Sequence, residues 1–255
     1  MSLVLRQTGV MSTQPIKLNN DPIIDCVIEL RFVPSSNSVA NVLPGLIMSQ
    51  LKGKYPSIES TPDAAIPNEI RHRDPNLRYR PLVHLKGENT IVGVGDRSLV
   101  VVFPAPYAGW SDVKSTCLEL FEVLRSSDLV TEIERVSIKY QNIIASESEG
   151  ASLGALDMTL EFGKGITPRG VGTSVRCEYE SDDTVSIIMV YSGVGAKVCD
   201  IDRKGLLVSV DTILTLPASF DSLASQLDFL HHKEKEVFFS LLTEETIEFL
   251  EPVWE

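Results

Sequence analysis

Four arginines, Arg71, Arg73, Arg78 and Arg80, fall within the ten-residue run Arg71-His72-Arg73-Asp74-Pro75-Asn76-Leu77-Arg78-Tyr79-Arg80. A guanidinium presents a planar fork of donors, so a cluster of this kind can grip phosphate or carboxylate groups. The chain has 23 basic side chains against 35 acidic ones. In that setting the run is the concentrated source of positive charge and the first candidate for an anionic ligand or an acidic protein partner. The plainer account is a solvated loop whose arginines pair with the protein's own carboxylates.

Asp200-Ile201-Asp202 offers a different chemistry. Alternate residues of a strand point to one face, so the two carboxylates can share it, and Asp211 is expected to join them from the next strand across a hairpin. Oxygen ligands of this type suit magnesium or manganese and a metal-dependent hydrolase or nuclease. Arg203 and Lys204 follow at once, however, and a polar strand face beside a turn explains the same residues.

The other reactive side chains are scattered. His231-His232 is expected where two helices meet, and adjacent helical residues point about 100° apart, which makes a shared metal awkward. One of the pair can instead cap a helix C-terminus. Cys26, Cys117, Cys177 and Cys199 have no CxxC spacing and sit among apolar neighbours, as small hydrophobes do. No serine lies in a GxSxG elbow. Gly93-Val94-Gly95, Gly170-Val171-Gly172 and Gly193-Val194-Gly195 each lack the third glycine of a dinucleotide loop and are expected in hairpins. Residues 163–170, with Lys164 and Arg169, read as a connection between strands that could also hold an anion. No cofactor and no catalytic residue is implied.

The elements that must carry these groups alternate between two periods. Ile24, Cys26, Ile28 and Leu30 alternate with polar residues between Pro22 and Pro34, the pattern of a half-buried strand. A helix capped by Asn41, with Pro44 in its first turn, should end at Gly53. Residues 54–78 carry four prolines without periodicity and read as a long loop. Strands follow near 80–87, 90–95 and 98–104, then a helix capped by Ser111 or Asp112 with a stripe of Val113, Cys117, Leu120, Phe121 and Leu124. A strand near 132–145 leads to further strands near 154–162, 172–180, 184–192, 196–202 and 206–214. Two helical stripes and a short helix beginning at Thr243 close the chain. Strands running consecutively predict an α+β fold of antiparallel meanders packed against helices. The meander-plus-helix order occurs at 79–126 and again at 172–231, which predicts two sheet-plus-helix halves, 16–130 and 131–255. Residues 1–15 are set aside as an added or disordered leader, with Met11 a candidate native start.

The whole chain bounds the rest. Its 255 residues carry 43% hydrophobic and 23% charged side chains, enough apolar surface for a sizeable core. Net charge −12 disfavours nucleic acid and anionic membranes as partners. No stretch approaches a membrane span, and unpaired cysteines fit a reducing compartment, so a cytoplasmic protein is expected.

Several segments resemble a sporadically distributed bacterial protein family of unknown function. The likeness lies in Asp21-Pro22-Ile23-Ile24-Asp25-Cys26-Val27-Ile28-Glu29-Leu30-Arg31-Phe32, in Tyr107-Ala108-Gly109-Trp110 and in Ile138-Lys139-Tyr140-Gln141-Asn142. It continues in Leu230-His231, Phe238-Phe239 and Leu242-Thr243-Glu244-Glu245. Asp25 and Lys139 stand where that family favours Glu and Arg. The resemblance brings no activity or site residues, and patchy occurrence implies a mobile gene such as a defence or toxin–antitoxin accessory. The sequence therefore predicts a non-catalytic binding or regulatory module for a protein partner or anionic ligand. The metal-dependent hydrolase on Asp200, Asp202 and Asp211 and a structural homo-oligomer subunit are the alternatives.

Overall fold

The computed structural model describes residues 14–36, 39–145, 153–161, 163, 166, 172–181 and 183–254. The chain is α+β, built on one antiparallel sheet of nine strands. A short β1 (Lys17–Leu18) precedes the long strand β2 (Ile23–Pro34) and helix α1 (Val39–Gln50). Then come β3 (Ser57–Ser60), the short helix α2 (Asn68–Arg73), β4 (Val83–Lys86), β5 (Ile91–Val94), β6 (Ser98–Pro104) and helix α3 (Trp110–Ser126). The second part runs β7 (Val130–Ala145), β8 (Ser174–Ser181), β9 (Thr184–Val198), β10 (Ile201–Leu214), α4 (Leu223–Ser240), α5 (Glu244–Phe249) and β11 (Pro252–Val253).

The strand order β3-β4-β5-β6-β2-β7-β10-β9-β8 places β2 and β7 at the centre. On one side β3 to β6 form a four-stranded meander, and on the other β8 to β10 form a three-stranded one. Each folds back so that its last strand pairs with the long strand before it, β2 or β7, and a helix follows. β1 and β11 form a separate two-stranded ribbon that ties residues 17–18 to the end of the chain.

Period-two alternation decides which face is covered. Cys26, Ile28 and Leu30 pair with Tyr140, Ile138 and Val136 on one side and with Phe103, Val101 and Leu99 on the other, and all nine are buried. α1 packs on β4 and β5, and α4 packs on β7, β9 and β10. The expected stripe Val113, Cys117, Leu120, Phe121 and Leu124 is the buried side of α3. The opposite face carries charged rows, Glu29 and Arg31 on β2 beside Arg135 on β7 and Asp211 on β10. No helix among the described residues is long and apolar enough to cross a membrane.

Several expectations are corrected. Residues 54–78 are not a structureless loop: they contain β3, a 3-10 turn at Pro62–Ala65 and α2, whose Glu69 and Arg71-His72-Arg73 match the helix dipole at either end. Asn41 and Pro44 lie inside α1, and Gly109, not Ser111 or Asp112, precedes α3. No strand forms at 154–161, where a single bridge joins Leu156 to Leu242. The two late helical stripes are one helix, α4, because nothing between Leu230 and Val237 breaks it: no glycine, no proline. Gly193 and Gly195 lie within β9, opposite an irregularity in β10, so the expected strands 184–192 and 196–202 are merged.

Candidate functional site

The residues singled out by sequence go to separate places. Arg71 is held inside the protein: its guanidinium pairs with Asp96 at 3.2 Å, their side chains 12% and 8% exposed, and also donates to the Ile66 carbonyl and Asn68 Oδ1. That pair fastens α2 to the β5–β6 turn. A Cβ on Gly95 would stand 2.7 Å from the Arg80 carbonyl, so glycine lets the chain after α2 lie against the turn. Arg80 Nε donates to the Asn76 carbonyl at 3.3 Å, Arg78 lies 5.7 Å from the Tyr79 ring, and Arg73 is exposed. The arginine cluster is thus dispersed, with Arg71 spent on structure.

The aspartates do not converge either. The β9–β10 hairpin turns at Cys199 and Asp200, both with positive φ of 48° and 65°, the two-residue geometry that matches strand twist. Asp200 therefore stands in the turn, paired with Lys197 at 3.1 Å and exposed, and Cys199 beside it is exposed rather than packed. Asp202 and Asp211 share the single strand β10 rather than facing each other across a hairpin. Nine positions separate them, about 30 Å along an extended chain. Asp211 is already bound to Arg135 at 3.3 Å. No group of three His, Cys, Asp or Glu able to hold a metal exists among the described residues. Of residues 163–170, only Gly163 and Ile166 are described, and the connection with Lys164 and Arg169 lies outside the described residues, as do Gly170 and Val171.

A different constellation forms where α4 crosses the centre of the sheet. A cavity of about 480 Å³ opens between α4, β2, β7, the connection from β6 to α3, and residues 15–18. Three elements deliver its polar groups. The β6–α3 connection brings Tyr107, and Gly109, with φ of 93°, turns the chain so that Trp110 begins α3 facing α4. Strand β7 contributes Tyr140 and Asn142 from its covered face. Helix α4 contributes His231, Glu234 and Phe238 at spacings of three and four, which is one side of a helix.

The groups are connected. Tyr107 Oη lies 2.9 Å from Tyr140 Oη, which lies 3.2 Å from His231 Nδ1. The Trp110 ring stacks on the His231 ring, centroids 4.2 Å apart and planes 7° from parallel. Trp110 Nε1 donates to Asp228 Oδ1 at 2.9 Å, and Lys114 also holds Asp228, so α3 and α4 are clamped at the cavity wall. Asn142 Nδ2 donates to the Val208 carbonyl at 3.4 Å.

Electrostatics make the floor of the cavity neutral. Burial, helped by Lys235, holds the His231 imidazole down to about 3, against the pull of Asp228. Burial pushes the Glu234 carboxyl up to about 8, with Lys235 acting the other way. Glu234 is only 3% exposed, and its Oε1 has no hydrogen-bond partner. The Tyr107 and Tyr140 phenols are also raised, chiefly by burial. At neutral pH the site therefore presents an uncharged imidazole, two phenols and a protonated carboxyl inside an apolar wall of Ile23, Trp110, Phe238 and Phe239.

The sequence expectations do not include this site, and His231 lies inside α4 rather than where two helices meet. One signal was present. Leu223, Leu227, Leu230, Glu234 and Phe238 recur at helical spacing on the buried side of α4, so a carboxylate sits in an apolar stripe. Among known proteins, no family model matches the chain and no curated protein matches it.

Proposed function

We propose that the protein is a binding module for a small organic ligand, held in the cavity between α4 and the β2–β7 centre of the sheet. The observation that carries the reading is Glu234, a buried carboxyl with an oxygen that no group of the protein satisfies, lining a cavity of ligand size. Buried polar atoms are nearly always paired, and leaving one unpaired costs stability. Six unpaired ones are found among the described residues, on Asp25, Arg135, Ser209, Asp211, Gln226 and Glu234. Only that of Glu234 belongs to a residue lining this cavity, which supports a role for it toward a ligand. Ligand cavities typically span about 300–1,000 Å³, mostly apolar with a few convergent polar groups, a description the cavity fits. The stacked, clamped rings keep the wall rigid before any ligand arrives, which lowers the ordering cost of binding. A binding role also agrees with the dispersal of the arginines and aspartates, which form no reaction centre among the described residues.

Thermal-shift screening of a library of small metabolites tests the reading. Compounds that raise Tm should lose the effect in Ala108→Trp, which fills the mouth from an exposed position, and keep it in Arg73→Ala and Arg80→Ala. Hits that survive Ala108→Trp but vanish with the arginines would move the site to the loop after α2 and end the proposal.

A further inference from the structure

We infer that the ligand of this cavity is an organic cation, an amine with an apolar or aromatic body, whose ammonium docks on Glu234. The inference rests on the proposed function and deepens it by naming the ligand class.

The argument is a count of what the cavity leaves unmet. Its neutral polar groups already serve one another: Tyr107 with Tyr140, Tyr140 with His231, Trp110 with Asp228, and Asn142 with the Val208 carbonyl. The buried atom left over is Glu234 Oε1, and once the carboxyl ionises both of its oxygens are acceptors. What the carboxylate lacks is a donor. The nearby cation of the chain does not supply it, because Lys235 Nζ is turned to the Pro15 carbonyl at 2.8 Å. An ammonium is the donor that also brings the charge an ionised Glu234 lacks, and pairing is what makes a buried carboxylate tolerable.

Two further features fit a cation with an apolar body. The lining includes the rings of Tyr107, Trp110, Tyr140, Phe238 and Phe239. Aromatic faces attract cations through their quadrupoles, most strongly where water is excluded. The net charge of −12 also raises the local concentration of cations around the whole protein. Lys17 and Lys235 stand with Asp21 in the lining, but an anionic ligand reaching the floor would meet the buried carboxyl of Glu234.

Docking has a proton consequence. The free site holds Glu234 protonated at neutral pH, and an ammonium beside it favours the carboxylate. The O–H bond of Glu234 breaks as the amine binds, and the proton passes to the buffer. The groups that face or couple to Glu234 are Lys235 and His231 on α4, Cys26 on β2, Tyr140 on β7 and Tyr107 before α3. Asp21 and Lys17 stand at the rim. His231, held at about 3, and the raised thiol and phenols keep their protonation states from pH 6 to 8. Burial lowers the Lys235 ammonium, so the Glu234→Gln variant is what assigns the released proton to Glu234.

Three probes of one shape make the test: 2-phenylethylamine, 2-phenylethanol and phenylacetate, each titrated into the full chain at 0.15 M salt. Calorimetry reads affinity, and the Trp110 indole N–H resonance, assigned with Trp254→Phe, reports the cavity. The amine should bind at least tenfold more tightly than the alcohol. Its heat at pH 7 should change with the ionisation heat of the buffer, showing proton release, while the alcohol's does not. Glu234→Gln, nearly the same shape, should abolish the proton release and the tenfold preference, so that amine and alcohol bind about alike, and its melting curve verifies that it folds. If the alcohol or phenylacetate moves the Trp110 signal and binds as tightly as the amine, the cation assignment falls and the cavity reading stands. If none of the three moves that signal at millimolar concentration, both fall.

Discussion

The two faces of the central sheet use polar side chains in opposite ways. On the uncovered face, Glu29 pairs with Arg31 at 2.8 Å and with Arg135 at 3.7 Å, Arg135 reaches Asp211 at 3.3 Å, and Arg31 lies 4.3 Å over the Tyr79 ring. Although Arg135 Nε and Asp211 Oδ1 are themselves left without a hydrogen-bond partner, each of these four charged groups has an opposite charge within reach. On the covered face, under α4, Glu234 has none in contact and is kept neutral by burial instead. A residue's chemical capacity follows from what its surroundings leave unpaired, not from its charge. Of the charged residues visible in the sequence, Arg71, Asp200 and Asp211 found opposite charges, whereas the cavity lies beside a carboxyl that no cation of the protein contacts.

The comparison is broken most severely by removing one partner from the satisfied side. Arg71→Ala leaves Asp96, 8% exposed at its side chain, without its cation. Breaking a buried pair from one side costs about 3–5 kcal/mol. Arg73→Ala and Arg80→Ala, at exposed positions, should stay within about 0.5 kcal/mol of the parent. Urea denaturation followed by far-UV circular dichroism measures all three. An Arg71→Ala variant as stable as the other two would show that the pairing across α2 and the β5–β6 turn is not holding that segment down.

A smaller effect is expected from the unsatisfied side, and its sign is set by the pH. The Glu234 carboxyl is held up at about 8 in the folded chain against 4.5 for the free group. Between those values the folded state binds a proton that the unfolded state has lost, so stability falls as pH rises, by about 1.4 kcal/mol per unit. His231, held at about 3 against 6.5, acts in the opposite direction: its neutral form stabilises above 6.5, and that contribution is lost as pH falls toward 3. The two slopes offset each other between 4.5 and 6.5. Above 6.5 the His231 contribution is complete, and the carboxyl should by itself remove about 2 kcal/mol by pH 8. Glu234→Gln should flatten that decline, read as Tm against pH. An unchanged decline in the variant would place the titrating group elsewhere.

What was legible in the sequence follows from the range over which each feature is encoded. β2 and α3 were readable because their faces repeat at periods of two and 3.6 residues, and Ile28, Leu30, Val113 and Leu120 went where that repetition puts them. The α+β class followed from the run of strands. The seam between β2 and β7 was not readable, because their pairing joins residues more than a hundred positions apart, as in Cys26 with Tyr140. The cavity was hidden for the same reason: Tyr107, Tyr140 and His231 meet only after the β6–α3 connection, β7 and α4 have packed. The hairpin turn was misplaced because Gly193 and Gly195 mark turns by type, whereas the chain reverses at Cys199 and Asp200. A β9 glycine can be absorbed by an irregular pairing; a non-glycine pair with positive φ gives no comparable mark in the sequence.

The smallest effect expected comes from that turn, and it sharpens the contrast from the satisfied side. Asp200 is exposed and bonded only to Lys197 in a surface pair, an interaction worth about 0–1 kcal/mol. Its φ of 65° is a conformation that glycine adopts without penalty. Asp200→Gly loses the ion pair but relieves the backbone, and the two effects oppose, so stability should change by less than about 0.5 kcal/mol. Asp200→Ala loses the same ion pair and keeps the backbone penalty, so it should be the less stable of the two by about 1 kcal/mol. Parallel denaturation curves of the two variants measure the difference. Equal loss in both would mean that the carboxylate itself, rather than the backbone conformation, sets the stability of this turn.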